Sequence, residues 1–209
     1  SLPESLRTAY KIACRRIASW ISSKFSGLET VSVDRLGDDS VPDFEFRSKS
    51  KAVSISLKHN HQGVRHPRPY SLAQWCGYAT GTNQDLSHRG QMDLIGNAFR
   101  ANTTKIQLFR ELDIATKDSL YRDVCLACKT SLDRWIAKDN TLQSKLFGFL
   151  VKEGFYQVIV RTKGSVSVGV TDYISLPQPS KAMIAARGNR LYLTFDNNWG
   201  LNLRIHSAR

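Results

Sequence analysis

The segment Val53-Ser54-Ile55-Ser56-Leu57-Lys58-His59-Asn60-His61 constrains this chain more than any other. It begins as a short apolar strand and ends in a lysine flanked by two imidazoles. Ten residues before Val53 stands Asp43, within Val41-Pro42-Asp43-Phe44-Glu45-Phe46. Only the short turn Ser48-Lys49-Ser50-Lys51 separates the two stretches, so they read as neighbouring strands of a meander. A carboxylate on one strand and a lysine at the end of the next are the minimum set for metal-assisted phosphodiester hydrolysis. The carboxylate holds Mg²⁺, which polarises the phosphate and acidifies an attacking water. The lysine positions that water and offsets charge building on phosphorus.

The surrounding pattern predicts a helix over 2–25, with Leu6, Ala9, Tyr10, Ala13, Ile17, Trp20 and Ile21 at helical spacing. Its basic residues Arg7, Lys11, Arg15 and Arg16 fit a solvated face better than a DNA contact. Strands follow over 28–35, 42–47 and 52–58. Two prolines exclude regular structure from Arg65 to Ser71. Ser71 is placed to cap a helix running through Trp75 to Ala79, and a loop follows at 80–83. The stretch 91–112 is mainly helical, and 118–137 and 141–153 are clearer helices. The last quarter reads as strands over 155–162, 165–174, 181–186, 190–195 and 201–206, with hairpin turns at Gly188-Asn189 and Asn197-Asn198. The expected fold is α/β (α+β): a nuclease core with a mixed sheet flanked by helices, and a β-rich C-terminal extension of antiparallel strands. One nuclease domain is expected over 1–209, divided into a catalytic half (1–115), a helical part (116–154) and a β-rich part (155–209).

Charge agrees with this chemistry. Thirty Lys+Arg against eighteen Asp+Glu give +12 and a pI near 9.8. Such an excess favours a polyanionic partner, because neutralised phosphates release counterions. No apolar window approaches a membrane span, and Ser1-Leu2-Pro3-Glu4 resembles no leader, so a cytoplasmic, prokaryotic-type intracellular protein is expected. Four scattered cysteines do not make a disulfide scaffold. Cys125-Leu126-Ala127-Cys128 lies within a helical pattern and reads as a buried pair rather than a metal or redox site.

Asp43 and Glu45 are two apart in an extended strand and therefore share a face. Two like charges there are costly without a cation, although a solvated edge strand has the same pattern. The full motif of PD-(D/E)xK nucleases places Asp or Glu two residues before the lysine, where this chain has Ser56. Either another acid assists Asp43, or the site is weak or inactive. Glu45 is the first candidate, Glu29 the second and Glu4 the third. Gln74 and Tyr78 have the Gln-x-x-x-Tyr spacing of RecB-like nucleases. His59 and His61 alternate about Asn60 and are expected to face together. With Lys58 they can contact the scissile phosphate or shuttle a proton, or they are structural histidines of a polar loop. Arg65, His66 and Arg68 form a proline-stiffened cationic loop suited to DNA, since a preorganised arginine loses less entropy on binding.

Ser54-Ile55-Ser56-Leu57-Lys58-His59-Asn60-His61, followed by Val64-Arg65-His66-Pro67-Arg68, resembles the Lys-His-Asn-His and (Lys/Arg)-His-x-Arg block of HaeIII-type type II restriction endonucleases. The run Phe195-Asp196-Asn197-Asn198-Trp199 and Arg204-Ile205-His206-Ser207-Ala208 is similar to the end of the same family. The resemblance implies a Mg²⁺-dependent endonuclease that cuts short palindromic sites in double-stranded DNA, with GGCC as the familiar one. It makes Ser56 compatible with activity through a Ser-x-Lys form of the motif. Asp43 and Lys58 carry over as catalytic; Arg65, His66, Arg68, Arg204 and His206 carry over as motif members without an assigned role. A palindromic site favours a homodimer. No nucleotide cofactor and no membrane partner are expected. The alternatives are a sequence-independent nuclease of RecB type and a nuclease-fold DNA-binding protein that is inactive or truncated.

Overall fold

The structure, a computed structural model, describes residues 3–25, 32–35, 42–47, 52–60, 68–103, 109–152, 154–162 and 165–205, with backbone alone for 32–35. It is mixed α+β, and its contacts divide it into two compact units. One unit joins residues 1–66 to 151–176; the other joins 67–150 to 177–209. Each is therefore built from two separate stretches of chain.

In the first unit, helix α1 (Glu4–Lys24) carries Glu4 in its first turn and Lys24 in its last, both favourable to the helix dipole. Strands β1 (Ser32–Arg35), β2 (Phe44–Arg47) and β3 (Ala52–His59) form the expected meander. Strands β4 (Phe155–Arg161) and β5 (Ser167–Asp172) complete a five-stranded sheet in the order β1-β2-β3-β4-β5. Strand β4 runs parallel to β3, with Ser54 opposite Phe155 and Ser56 opposite Gln157; β5 is antiparallel to β4. The expectation that β4 and β5 belong to an antiparallel extension is corrected here. The reason is burial: Phe155 to Val160 are all buried, the mark of a central strand covered on both faces.

The two faces of the sheet differ in chemistry. Val53, Ile55, Tyr156 and Val158 form a buried cluster against Phe46, Val168 and the Ile17, Trp20, Ile21 and Phe25 side chains. Trp20 meets the Tyr156 ring edge-on at 5.2 Å and the Phe25 ring at 5.8 Å. Each such side chain, fully buried, contributes about 1.5–3 kcal/mol, enough for this contact to fix α1 on the apolar face. Asp43, Glu45, Ser54, Ser56, Lys58 and Gln157 alternate with these residues and occupy the opposite face.

The second unit holds α2 (Leu72–Trp75), α3 (Asn83–Asn102), α4 (Ile114–Ile136), α5 (Leu142–Val151) and an antiparallel sheet of β6 (Ala182–Arg187), β7 (Arg190–Phe195) and β8 (Gly200–Arg204). Its core contains Leu72, Trp75, Leu132, Trp135, Leu146, Phe147, Leu191 and Leu193. Trp199, half-buried, packs edge-on against Phe147 at 5.9 Å. The expected helix to Ala79 stops at Trp75, because Gly77 turns the chain at φ 79°. Helix α3 starts eight residues before the expected 91, at Asn83, because Thr82 caps it by accepting the Asp85 N–H. Cys125 and Cys128 are buried in α4, and burial pushes their thiols up to about 11 and about 12. They stay protonated at neutral pH, as expected of an inert helical pair. Among the described residues, no helix is long and apolar enough to cross a membrane.

Candidate active site

Asp43 precedes β2 by one residue, yet it extends the ladder by donating its N–H to Ile55 O at 2.9 Å. Antiparallel pairing sets the start of β2 against the end of β3, so register alone brings the carboxylate to Ser56 and Lys58. Oδ2 of Asp43 accepts from Leu57 N at 2.6 Å and from the Ser56 hydroxyl at 3.2 Å. The Lys58 ammonium stands 3.7 Å from the same oxygen. The Lys58 side chain is 15% exposed and that of Asp43 is 41% exposed, so the pair sits at the rim of a buried polar face with the carboxylate outermost. The backbone N–H and the hydroxyl fix the carboxylate on the side of the lysine.

Glu45 lies on the same face, but it is engaged elsewhere: Oε1 pairs with Arg47, and Oε2 accepts from the Ser54 hydroxyl at 3.3 Å. Ser56 is fully buried, and Gln157 lies beside it in the β3–β4 register, also buried. The Tyr173 hydroxyl donates to Gln157 Oε1 at 3.5 Å. Sequence reasoning missed Gln157; a lone polar residue in the apolar run Phe155 to Val160 is the signal that marks it.

His59 does not join Lys58. Alternation turns it to the α1 face, where its ring is 5.5 Å from that of Tyr10. There the Asn60 amide donates to His59 Nε2 at 2.8 Å and to Thr162 Oγ1 at 3.1 Å, while Asn60 Oδ1 accepts from Thr162 N at 2.9 Å. Asn60 takes φ 58°, and its N–H bonds Val160 O, so this asparagine closes the ends of β3 and β4. His59 and Asn60 are thus partnered within the sheet end, and the expected grouping of His59 with Lys58 does not form.

Arg68 is exposed in the second unit, where its carbonyl accepts from Ser71 N. Arg204 is exposed at the end of β8, opposite Arg190. Glu29, His61, Arg65, His66 and His206 lie outside the described residues. Glu4 is on α1, where it pairs with Arg7. Gln74 and Tyr78 do not share a helical face: α2 ends between them, Gln74 donates to Asp85 Oδ1 at 2.8 Å, and Tyr78 packs edge-on against Trp135.

A polar network in the second unit was also missed. Asp85 is buried and accepts from Gly81 N, Gln74 and Arg89; the Gly81 N–H is foremost in holding its carboxyl below the ordinary range. His88, one turn on, is buried between Pro69 O at 2.9 Å and the Ser131 hydroxyl at 3.0 Å. Burial lowers its pKa, and the neutral ring with hydrogen on Nε2 satisfies both partners.

Among the described residues no three His, Cys, Asp or Glu side chains gather as a metal cluster. The donor set nevertheless fits Mg²⁺ in its usual enzymatic form, in which one or two carboxylates share the ion with water and substrate phosphate. Asp43 is the carboxylate placed for that, partly exposed and held by two donors through a single oxygen. Comparison with protein families, with curated proteins and with solved structures finds no match for this chain.

Proposed function

We propose that this chain is a Mg²⁺-dependent nuclease of the PD-(D/E)xK type that hydrolyses phosphodiester bonds in double-stranded DNA, as a type II restriction endonuclease does. The observation that carries the reading is the Asp43–Ser56–Lys58 constellation at the paired ends of β2 and β3. The meander, the parallel β3–β4 pair and the helix on one face support the mixed-sheet core that the sequence motif implies.

Asp43 would hold the ion, which supplies charge at the phosphate and a more acidic water when bound. Ser56 and Leu57 N orient the carboxylate, so no carboxylate two residues before Lys58 is needed for positioning. Lys58 faces the same point, where its ammonium donates to a non-bridging phosphate oxygen or to the attacking water and stabilises charge in the transition state. Gln157 keeps the buried side of this face polar. A homodimer and a short palindromic site, GGCC in the HaeIII-type case, complete the proposal.

A second reading is favoured by Ser56 and by the engagement of Glu45 with Arg47: a nuclease-fold protein that binds DNA without cutting it. Incubation with supercoiled plasmid, with and without Mg²⁺, followed by sequencing of the ends, separates the two. Metal-dependent fragments sharing a palindrome are the expected result. Tight binding without nicking in any divalent metal would overturn the catalytic reading and leave the binding one.

A further inference from the structure

Helix α1 carries a feature that the active site does not use. Its inner stripe faces the sheet, with Ala9 and Ala13 buried and Ile17, Trp20 and Ile21 packed on the apolar cluster. Beside that stripe Arg7, Lys11 and Arg15 follow at four-residue intervals. At 3.6 residues per turn they share an arc of about 80°, with successive positions rising about 6 Å. Together with Tyr10 and Cys14 they line a shallow hollow of about 440 Å³. The charge along it is nearly all of one sign: Glu4, with a side chain 77% exposed, stands 3.8 Å from Arg7 at one end. Arg16 is directed elsewhere, donating to Val166 O at 2.5 Å.

Like charges four residues apart destabilise a helix by a few tenths of a kcal/mol per pair, so the row opposes helix formation in the free protein and a polyanion removes that opposition. A membrane surface fits less well, because the apolar stripe it would receive is already packed on the sheet. Tyr10 touches His59, the residue after Lys58, so the row passes the end of β3 on the face opposite the active site.

We propose that Arg7, Lys11 and Arg15 form a docking surface for the sugar-phosphate backbone of duplex DNA. The proposal rests on DNA being the substrate. Contacts of this kind position the duplex and carry no sequence information.

Cys14 provides the test on the intact protein, because it is exposed while Cys76, Cys125 and Cys128 are buried. A thiol reagent modifies Cys14, and duplex DNA at low salt is expected to slow that reaction at least tenfold, with protection lost as salt rises. Substituting R7Q, K11Q and R15Q together should lower the slope of log binding constant against log salt by about 2 to 3, near 0.9 per lost contact. Cleavage by a protein whose Cys14 reacts at full speed in the DNA complex, with an unaltered salt slope in the triple variant, would overturn this surface and leave the nuclease standing. Protection without cleavage would uphold the surface while the catalytic reading fails. Protection by phosphatidylserine vesicles but not by DNA would replace the partner and overturn the proposal.

Discussion

Replacing Lys58 by Met separates a chemical role for this residue from a structural one. Methionine keeps most of the aliphatic stem and removes only the ammonium. The ion pair it breaks spans 3.7 Å, which at an effective dielectric constant near 20 corresponds to a raw attraction of about 4 kcal/mol. Asp43 is 41% exposed, so solvent screens most of that, and exposed pairs contribute only about 0–1 kcal/mol net. Asp43 also retains Leu57 N and the Ser56 hydroxyl as donors. The stability loss should therefore stay below about 1 kcal/mol, or about 2–4 °C in Tm for a protein of this size. Catalysis behaves differently, because a preorganised charge at a developing oxyanion contributes about 10²–10³ in rate. The expected Lys58→Met protein melts within a few degrees of its parent, binds DNA with a salt slope lower by at most about 0.9, and cleaves at least about a hundredfold more slowly. Plasmid nicking under single-turnover conditions and a thermal melt measure both arms. Nicking at the parental rate would refute the role of Lys58. A loss of rate together with a Tm fall well beyond a few degrees would show instead that the ammonium maintains the fold.

Ser56→Asp tests the metal assignment: a second carboxylate 3.2 Å or so from Asp43 Oδ2, at a fully buried position, should lower Tm in EDTA. Mg²⁺ should restore it, by about 2.7 kcal/mol at a hundred times Kd, and an equal Tm in both conditions would remove Asp43 as a ligand. For His88 the sign follows from burial, which sets the folded pKa below the 6.5 of the unfolded chain. The unfolded state then binds more protons, so the stability His88 contributes is complete above about pH 6.5 and falls as pH drops from there towards the folded value. Denaturant titrations from pH 8 to pH 5 should show this fall, with a slope of at most about 1.4 kcal/mol per pH unit from this group. His88→Gln should flatten it, and an unchanged profile would place the titration elsewhere.

The meander was legible in the sequence because its signals are local. Pro42 to Arg47 and Ala52 to Lys58 are short, patterned and separated by one turn, so pairing and register follow from neighbourhood. Pairing of β3 with β4 was not legible, because residues 67–150 of the second unit lie between Ser54 and Phe155 in the chain and no local feature encodes that partner. The run Phe155 to Val160 does betray two-sided burial, which an outer antiparallel strand does not need. At the site, Asp43, Ser56 and Lys58 were legible as a set. The separation of His59 from Lys58 follows from strand period, but its partnership with Thr162 depends on Asn60 adopting a positive φ, which the sequence only permits. Gln157 was hidden because its importance lies in its register with Ser56, a long-range fact.

The geometry of the ladder explains why these groups occur where they do. Under the proposed function, groups that meet a phosphate must be polar, partly solvated and fixed, three demands that conflict inside a sheet. Asp43 meets them by standing one residue outside β2: its N–H still bonds Ile55, while its carboxylate reaches along β3 to Ser56, Leu57 and Lys58. Two residues further into the ladder, Glu45 has a normal strand position and is engaged by Arg47 and Ser54. The difference between the two carboxylates is thus one of position along the strand, since both share one face. A register shift of one residue would turn Lys58 to the α1 face and His59 to the polar one. The apolar cluster of Val53, Ile55, Tyr156 and Val158 with Trp20 and Ile21 opposes that shift, because it would expose these side chains. The packing that holds α1 on one face of the sheet therefore also holds Lys58 beside Asp43 on the other.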